Sequence, residues 1–228
     1  IESFVSATAG AQQQFTTFVR TVKREMDIQS LGKLAVEIPV RSLFYPVMTD
    51  PVALGAIADY VVVMAYDYHY SGSYVAGPVA PIGGAGDVRE MDVTTSLEQA
   101  VKQIPRQKIL LGIPLYGYQW ETISDSSNGA VVPGSGATAS NRRIEEMLNN
   151  CSGCKKEMDP VALEPIITSP SGEVVTQIHI EDRESLAKKV ELVKKYNLGG
   201  VALWALGYEG TGMLDPLIPY RKAFRFTF

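Results

Sequence analysis

Apolar positions along this chain fall into alternating helical and extended patterns. Over residues 15–26, Phe15, Phe18, Val19, Val22 and Met26 recur at helical spacing, while Gln12, Gln13, Arg20, Lys23 and Arg24 take the other face; this predicts a helix. The apolar run 33–40 (KLAVEIPV), bounded by Gly32 and Pro39, predicts a strand. Asp50 followed by Pro51 has the form of an N-cap with proline at the first helical position, so a helix is predicted from 51 to about 58. Residues 60–66 (YVVVMAY) are apolar on both faces and rich in β-branched side chains, as a strand in a parallel sheet covered on both sides must be. A Gly/Ser/Pro loop over 71–86 leads to Thr95-Ser96-Leu97-Glu98, a capping-box form that opens a helix ending near 104, before Pro105. The run 108–115 (KILLGIPL) predicts a third strand.

The rhythm then changes. Residues 121–140 are rich in Ser, Gly, Ala and Thr and read as a loop, and 142–149 as a short helix. Two β-like runs within 164–180, around Ser169-Pro170-Ser171-Gly172, predict a hairpin. A helix over 184–196 carries Leu186, Val190 and Val193 on one face, with Asn197 as its C-cap. Residues 200–205 (GVALWA) predict a fourth strand and 215–224 a last short helix. Strands alternating with helices imply α/β architecture with right-handed parallel crossovers. That is either an open doubly wound sheet or part of a barrel, since four strands fall short of the eight in a closed one. A small α+β insertion separates the last two strands.

Composition narrows the function classes. Of 228 residues, 46% are apolar and 20% charged, which excludes a disordered or collagen-like chain. The net charge is −4 and Lys and Arg form no stripe, so nucleic acid is not an expected partner. No uncharged apolar run approaches the roughly 18 residues of a membrane span. The chain opens without Met, a charged n-region or an apolar h-region, so no targeting signal is legible. Cys151 and Cys154 form a lone C-x-x-C, which suits a local disulfide, half of a zinc site or two free thiols. Structural zinc needs four ligands, and both His69 and His179 are distant in sequence, so no metal is expected.

Ligands of parallel α/β folds sit at the carboxyl ends of the strands. There this chain carries Tyr66-Asp67-Tyr68-His69-Tyr70, then Tyr116-Gly117-Tyr118-Gln119-Trp120, then Trp204 with Gly207-Tyr208-Glu209. Aromatic faces with a few carboxylates suit a flat polar ring such as a sugar. The plain alternative is that the aromatics plug the end of a core. Gly83-Gly84-Ala85-Gly86 lacks the strand-then-helix context of a phosphate loop, and no G-x-S-x-G elbow occurs. His69, two residues from Asp67, reads better as an orienting or packing group than as a catalyst.

These segments resemble glycoside hydrolase family 18. VVVMAYDYHYSGSYVAGPVAPI is similar to the family's sixth-strand region with its M-x-Y-D pattern, KILLGIPLYGYQW to its seventh strand and LGGVALWALGYEG to its eighth. The wording is nearest to the bacterial spore-cortex and cell-wall branch, and the likeness runs over nearly the whole chain. It implies the C-terminal half of a (β/α)8 barrel: strands five to seven over 1–120, a small α+β insertion over 121–182, and the last helix, strand eight and terminal helix over 183–228. It also implies a retaining glycosidase that cleaves β-1,4 bonds beside N-acetylglucosamine in chitin or peptidoglycan, both of which stay open. In that family the substrate's own acetamido group is the nucleophile. Carried over, Glu2 is the proton donor that closes the family's D-x-x-D-x-D-x-E motif, and Tyr66 holds the acetamido group. Asp67 binds a sugar hydroxyl, Trp204 floors the cleavage subsite and Tyr116 lines the cleft. No cofactor is implied. The expected partners are an N-acetylglucosamine oligosaccharide or polysaccharide and either the missing N-terminal half or a second copy of the chain. The expected setting is extracellular or the cell envelope. Because some family barrels lack the acid, a non-catalytic lectin or inhibitor is the alternative.

Overall fold

The computed structural model describes residues 8–86 and 90–220. In chain order the elements are α1 (Ala9–Ile28), β1 (Ala35–Pro39), α2 (Pro51–Ile57), β2 (Tyr60–Met64), α3 (Val93–Gln103), β3 (Ile109–Pro114), β4 (Tyr116–Thr122), β5 (Ala137–Ser140), α4 (Asn141–Asn150), β6 (Lys155–Met158), β7 (Pro165–Ser171), β8 (Val174–Ile180), α5 (Arg183–Lys195) and β9 (Gly200–Trp204). Single 3-10 turns occupy Val40–Leu43, Arg106–Lys108 and Asp215–Tyr220.

Two compact units divide the chain. One takes the residues up to Ala65, with Thr94–Gly112 and Leu192–Ala202; the other takes Tyr66–Val93, Ile113–Glu191 and the residues from Leu203. The first unit is built on a sheet of strand order β1-β2-β3-β9. β1 pairs with β2, and β2 with β3, in parallel. Val61, Val62 and Val63 are all buried, so both faces of β2 are covered, which is why its sequence shows no polar alternation. The Asp50 side chain caps α2 by accepting the Ala53 N–H at 3.0 Å, with Pro51 at the first helical position. Helix α3 opens at Val93, two residues before the expected capping box, so Thr95 and Glu98 lie inside it.

The second unit holds an antiparallel sheet of order β5-β4-β8-β7-β6. Its centre is the β7–β8 hairpin, in which Ser171 faces Val174 across a tight turn at Gly172 (φ 64°), a conformation that glycine adopts without strain. Residues 121–140, expected as loop, contain β5, which pairs with β4 in the register Tyr116 to Ser140. The 164–180 and 142–149 expectations match β7–β8 and α4. Of the last expected helix, a 3-10 turn over Asp215–Tyr220 is described and the remainder lies outside the described residues. Cys151 and Cys154 form a disulfide just after α4. Ile144, Ile167, Ile178 and Ile180 pack into one core, with Cys154 against it. No helix among the described residues is long and apolar enough to cross a membrane.

Candidate functional site

The site grows from two local facts about the second unit. Just after β2 the chain turns at Asp67, whose φ of 60° is left-handed. Asp adopts that region more readily than most residues, and a non-glycine held there is a feature to account for. Strand β4 reads Tyr-Gly-Tyr-Gln-Trp. Its alternation puts Tyr116, Tyr118 and Trp120 on one face, each ring contacting the next at 5.6 and 5.8 Å between centroids. Gly117 lets β4 press against β8: a Cβ there would fall 1.9 Å from the His179 carbonyl oxygen.

The two tyrosine hydroxyls meet at the aspartate. Tyr116 Oη donates to Asp67 Oδ1 at 2.6 Å, and Tyr118 Oη donates to the same oxygen at 3.0 Å. Oδ2 takes neither of these two bonds. Asp67 is exposed as a residue, while its carboxyl is held by the two ring hydroxyls. Burial pushes the Asp67 carboxyl above the usual carboxylate range, and the two hydroxyls pull it part of the way back. Burial first, then the neighbouring carboxylate, push both phenols up, so they remain protonated donors at any physiological pH.

Tyr66 stands edge-on to Tyr116 at 6.3 Å, and Tyr208 does the same from another direction at 6.4 Å. Tyr116 and Tyr118 are buried, and Trp120 is 0% exposed, its far edge against His179. Trp120 is therefore core, not a stacking surface. Among the aromatics that follow the strand ends, Trp204 is 43% and Tyr208 40% exposed, and Tyr70 and Tyr74 beyond Asp67 are exposed too. The Trp204 carbonyl accepts the Leu115 N–H at 2.6 Å, which sets its backbone next to the residue before Tyr116, and its peptide bond to Ala205 is cis. His69 packs inward, with Nδ1 3.0 Å from the Pro78 carbonyl oxygen.

Of the five residues named from sequence, Tyr66, Asp67 and Tyr116 are thus brought into one cluster. Trp204 enters beside it through the backbone, and Glu2 lies outside the described residues. Tyr118 and Tyr208 join the cluster without being among those five. The period-two aromatic pattern of 116–120 was the signal for Tyr118, because residues i and i+2 of a strand share a face. Chemically the cluster is a carboxylate steadied by two neutral donors, able to take hydroxyl or amide protons. Tyr118→Phe deletes one of these donors, and the Asp67 titration midpoint, followed through its side-chain 13C resonance, is expected to move further up. An unchanged midpoint would mean that the Tyr118 bond carries no weight.

Comparison with known proteins gives the cluster a context. The profile of the glycosyl hydrolases family 18 matches residues 4–209. A Bacillus subtilis relative named for a sporulation-specific glycosylase, YdhD, is 27% identical over 234 residues, taking in 96% of this chain and 50% of its own length. A cortical fragment-lytic enzyme of Bacillus subtilis is 31% identical over 156 residues, 68% of this chain and 33% of its own length. The crystal structure of a chitinase from Chromobacterium violaceum superposes with a TM-score of 0.73 at 27% identity, covering 95% of this chain and 63% of that one. The chain therefore spans half or less of these curated relatives. Its parallel strands correspond to part of the family's (β/α)8 barrel, and its antiparallel sheet is an insertion in that barrel.

Proposed function

We propose, from the premise that this chain belongs to glycosyl hydrolases family 18, that it forms part of an enzyme cleaving β-1,4 bonds beside N-acetylglucosamine in chitin or peptidoglycan. The observation that supports this most is the Asp67 cluster: a carboxylate held by two phenols, with half-exposed aromatic faces at Trp204, the last residue of β9, and at Tyr208 beyond it. Such a site accepts hydroxyl and amide protons and offers flat apolar surface to a sugar ring.

In the proposed reaction the acetamido oxygen of the substrate attacks the anomeric carbon, and the glycosidic oxygen leaves with a proton from Glu2. Water then opens the oxazolinium ion, giving its proton back to the Glu2 carboxylate, so the configuration is retained. Tyr66 holds the acetamido group for attack, Asp67 Oδ2 accepts a sugar hydroxyl, Trp204 supplies the floor and Tyr116 both lines the cleft and fixes Asp67. Fixing the attacking group is where such residues contribute, by removing its motional freedom before the reaction. No cofactor takes part.

The parallel sheet ends in two edge strands, β1 and β9. Edges that are unpaired among the described residues recruit further strands, which supports closure of the barrel by additional chain or by a second copy. The Cys151–Cys154 disulfide suits an oxidising compartment, and with the cortical fragment-lytic relative it supports an extracellular or cell-envelope setting.

The test is incubation with the β-1,4-linked tetramer of N-acetylglucosamine, followed by proton NMR. Products appearing first as the β-anomer are expected. First release of the α-anomer overturns the acetamido route. Binding without cleavage makes the protein a carbohydrate-binding member of the fold, and neither binding nor cleavage overturns the reading.

A further inference from the structure

A second group of titratable side chains is distinct from the aromatic cluster and has no part in the chemistry above. Glu164, Glu181 and Lys189 are each 0% exposed. Lys189 Nζ donates to Glu181 Oε2 at 2.6 Å and to Glu164 Oε1 at 3.3 Å. Burying two carboxylates around one ammonium is a poor route to stability, because the lost hydration of each ion rivals the attraction gained.

Glu164 Oε1 has another partner. It accepts the backbone N–H of Ala80 at 2.8 Å, 84 residues away in sequence. Ala80 belongs to the segment that follows the Asp67 turn and folds back on it. The Tyr68 N–H donates to the Val79 carbonyl at 3.0 Å, and the His69 ring nitrogen meets the Pro78 carbonyl at 3.0 Å. Gly77 lies under the His69 ring so closely that a Cβ would come within 2.5 Å of it. Residues 77–80 are thus clamped from one side by the backbone and ring of residues 68–69, and from the other by a buried carboxylate.

We propose that Glu164, itself fixed by Lys189, is a positioning residue that holds Asp67 in its left-handed turn through Ala80. The proposal deepens the reading of the aromatic cluster as a sugar site, because the turn it holds presents the carboxylate to the ligand. What the turn needs from Glu164 is an acceptor oxygen. Its charge acts on Lys189 and Glu181, not on the turn.

That distinction sets the experiment. Glu164→Gln keeps an oxygen for both donors, and Glu164→Leu keeps the volume but removes it. Amide hydrogen exchange and calorimetric titration with the N-acetylglucosamine tetramer are measured on the same proteins. In Glu164→Leu, protection of the Tyr68 and Ala80 amides is expected to fall about tenfold or more, and tetramer affinity about tenfold. The Ile178 and Leu186 amides should change far less, which a general loss of stability would not reproduce. In Glu164→Gln all of these stay within about threefold of the parent. Should Glu164→Leu fail to fold, the triple change Glu164→Leu, Glu181→Leu, Lys189→Met removes every buried charge while still lacking the acceptor, and the same losses are expected. Unchanged Tyr68 protection in either apolar variant overturns the proposal, as does Glu164→Gln losing protection at Tyr68. If the parent protein binds no tetramer, the sugar-site reading falls, while the exchange pattern still decides the role of Glu164.

Discussion

Lys189→Met is expected to destabilise the second unit by about 3–5 kcal/mol at pH 8, the usual consequence of stripping the counter-ion from a buried charge group. The ammonium is what lets two carboxylates share one dry space: it lies 2.6 Å from Glu181 and 3.3 Å from Glu164. Burial opposes the charge of Lys189, but Glu181 and Glu164 together more than offset it, and its pKa is raised. Burial also pushes the Glu181 carboxyl up to about 8, with Lys189 pulling down and Glu164 pushing up. A raised carboxyl makes the native state hold a proton that the unfolded chain has released. The Glu181 contribution is therefore favourable at low pH and is lost as pH rises from the ordinary carboxylate range towards about 8. Without Lys189 the downward pull on Glu181 disappears, so the variant should recover part of its stability near pH 5, where the Glu181 carboxyl is neutral. Urea unfolding at pH 5 and pH 8 checks this. A variant as stable as the parent at pH 8 would sink the account of the triad.

Glu2→Gln is expected to lower turnover of the N-acetylglucosamine tetramer by about 10²–10⁴-fold, the range that general acid catalysis contributes. The amide has the size of the acid but no proton to give to the leaving oxygen, so tetramer affinity should stay within about threefold of the parent. The measurement belongs in a polypeptide that carries the whole barrel, where turnover and binding are determined side by side. Loss of both together would make Glu2 a binding or folding residue. Undiminished turnover would remove it from the mechanism.

Much of the architecture was legible because local pattern and tertiary environment agree. A run such as YVVVM reads as a two-sided buried strand because both faces of β2 are in fact covered. Asp50-Pro51 reads as a helix start because capping is a local interaction. The misses share a cause. Tyr116 to Trp120 looks like the tail of the preceding strand, yet it is the start of β4, whose partners β5 and β8 come later in the chain. β6, with the sequence KKEM, carries no strand signal of its own and exists by pairing with β7.

The same division runs through the candidate site. Residue order alone determined that aromatic and carboxylate side chains follow the strands, and which family's wording they share. Only the folded chain decided that Tyr118 shares Asp67 with Tyr116, that Trp120 is buried beyond use as a sugar platform, and that Glu164, Glu181 and Lys189 are interior. Charged residues look alike in a sequence whether solvated or buried. What distinguishes them is the partner brought across by a distant segment, and a linear pattern with periods of two and 3.6 residues has no means of recording that.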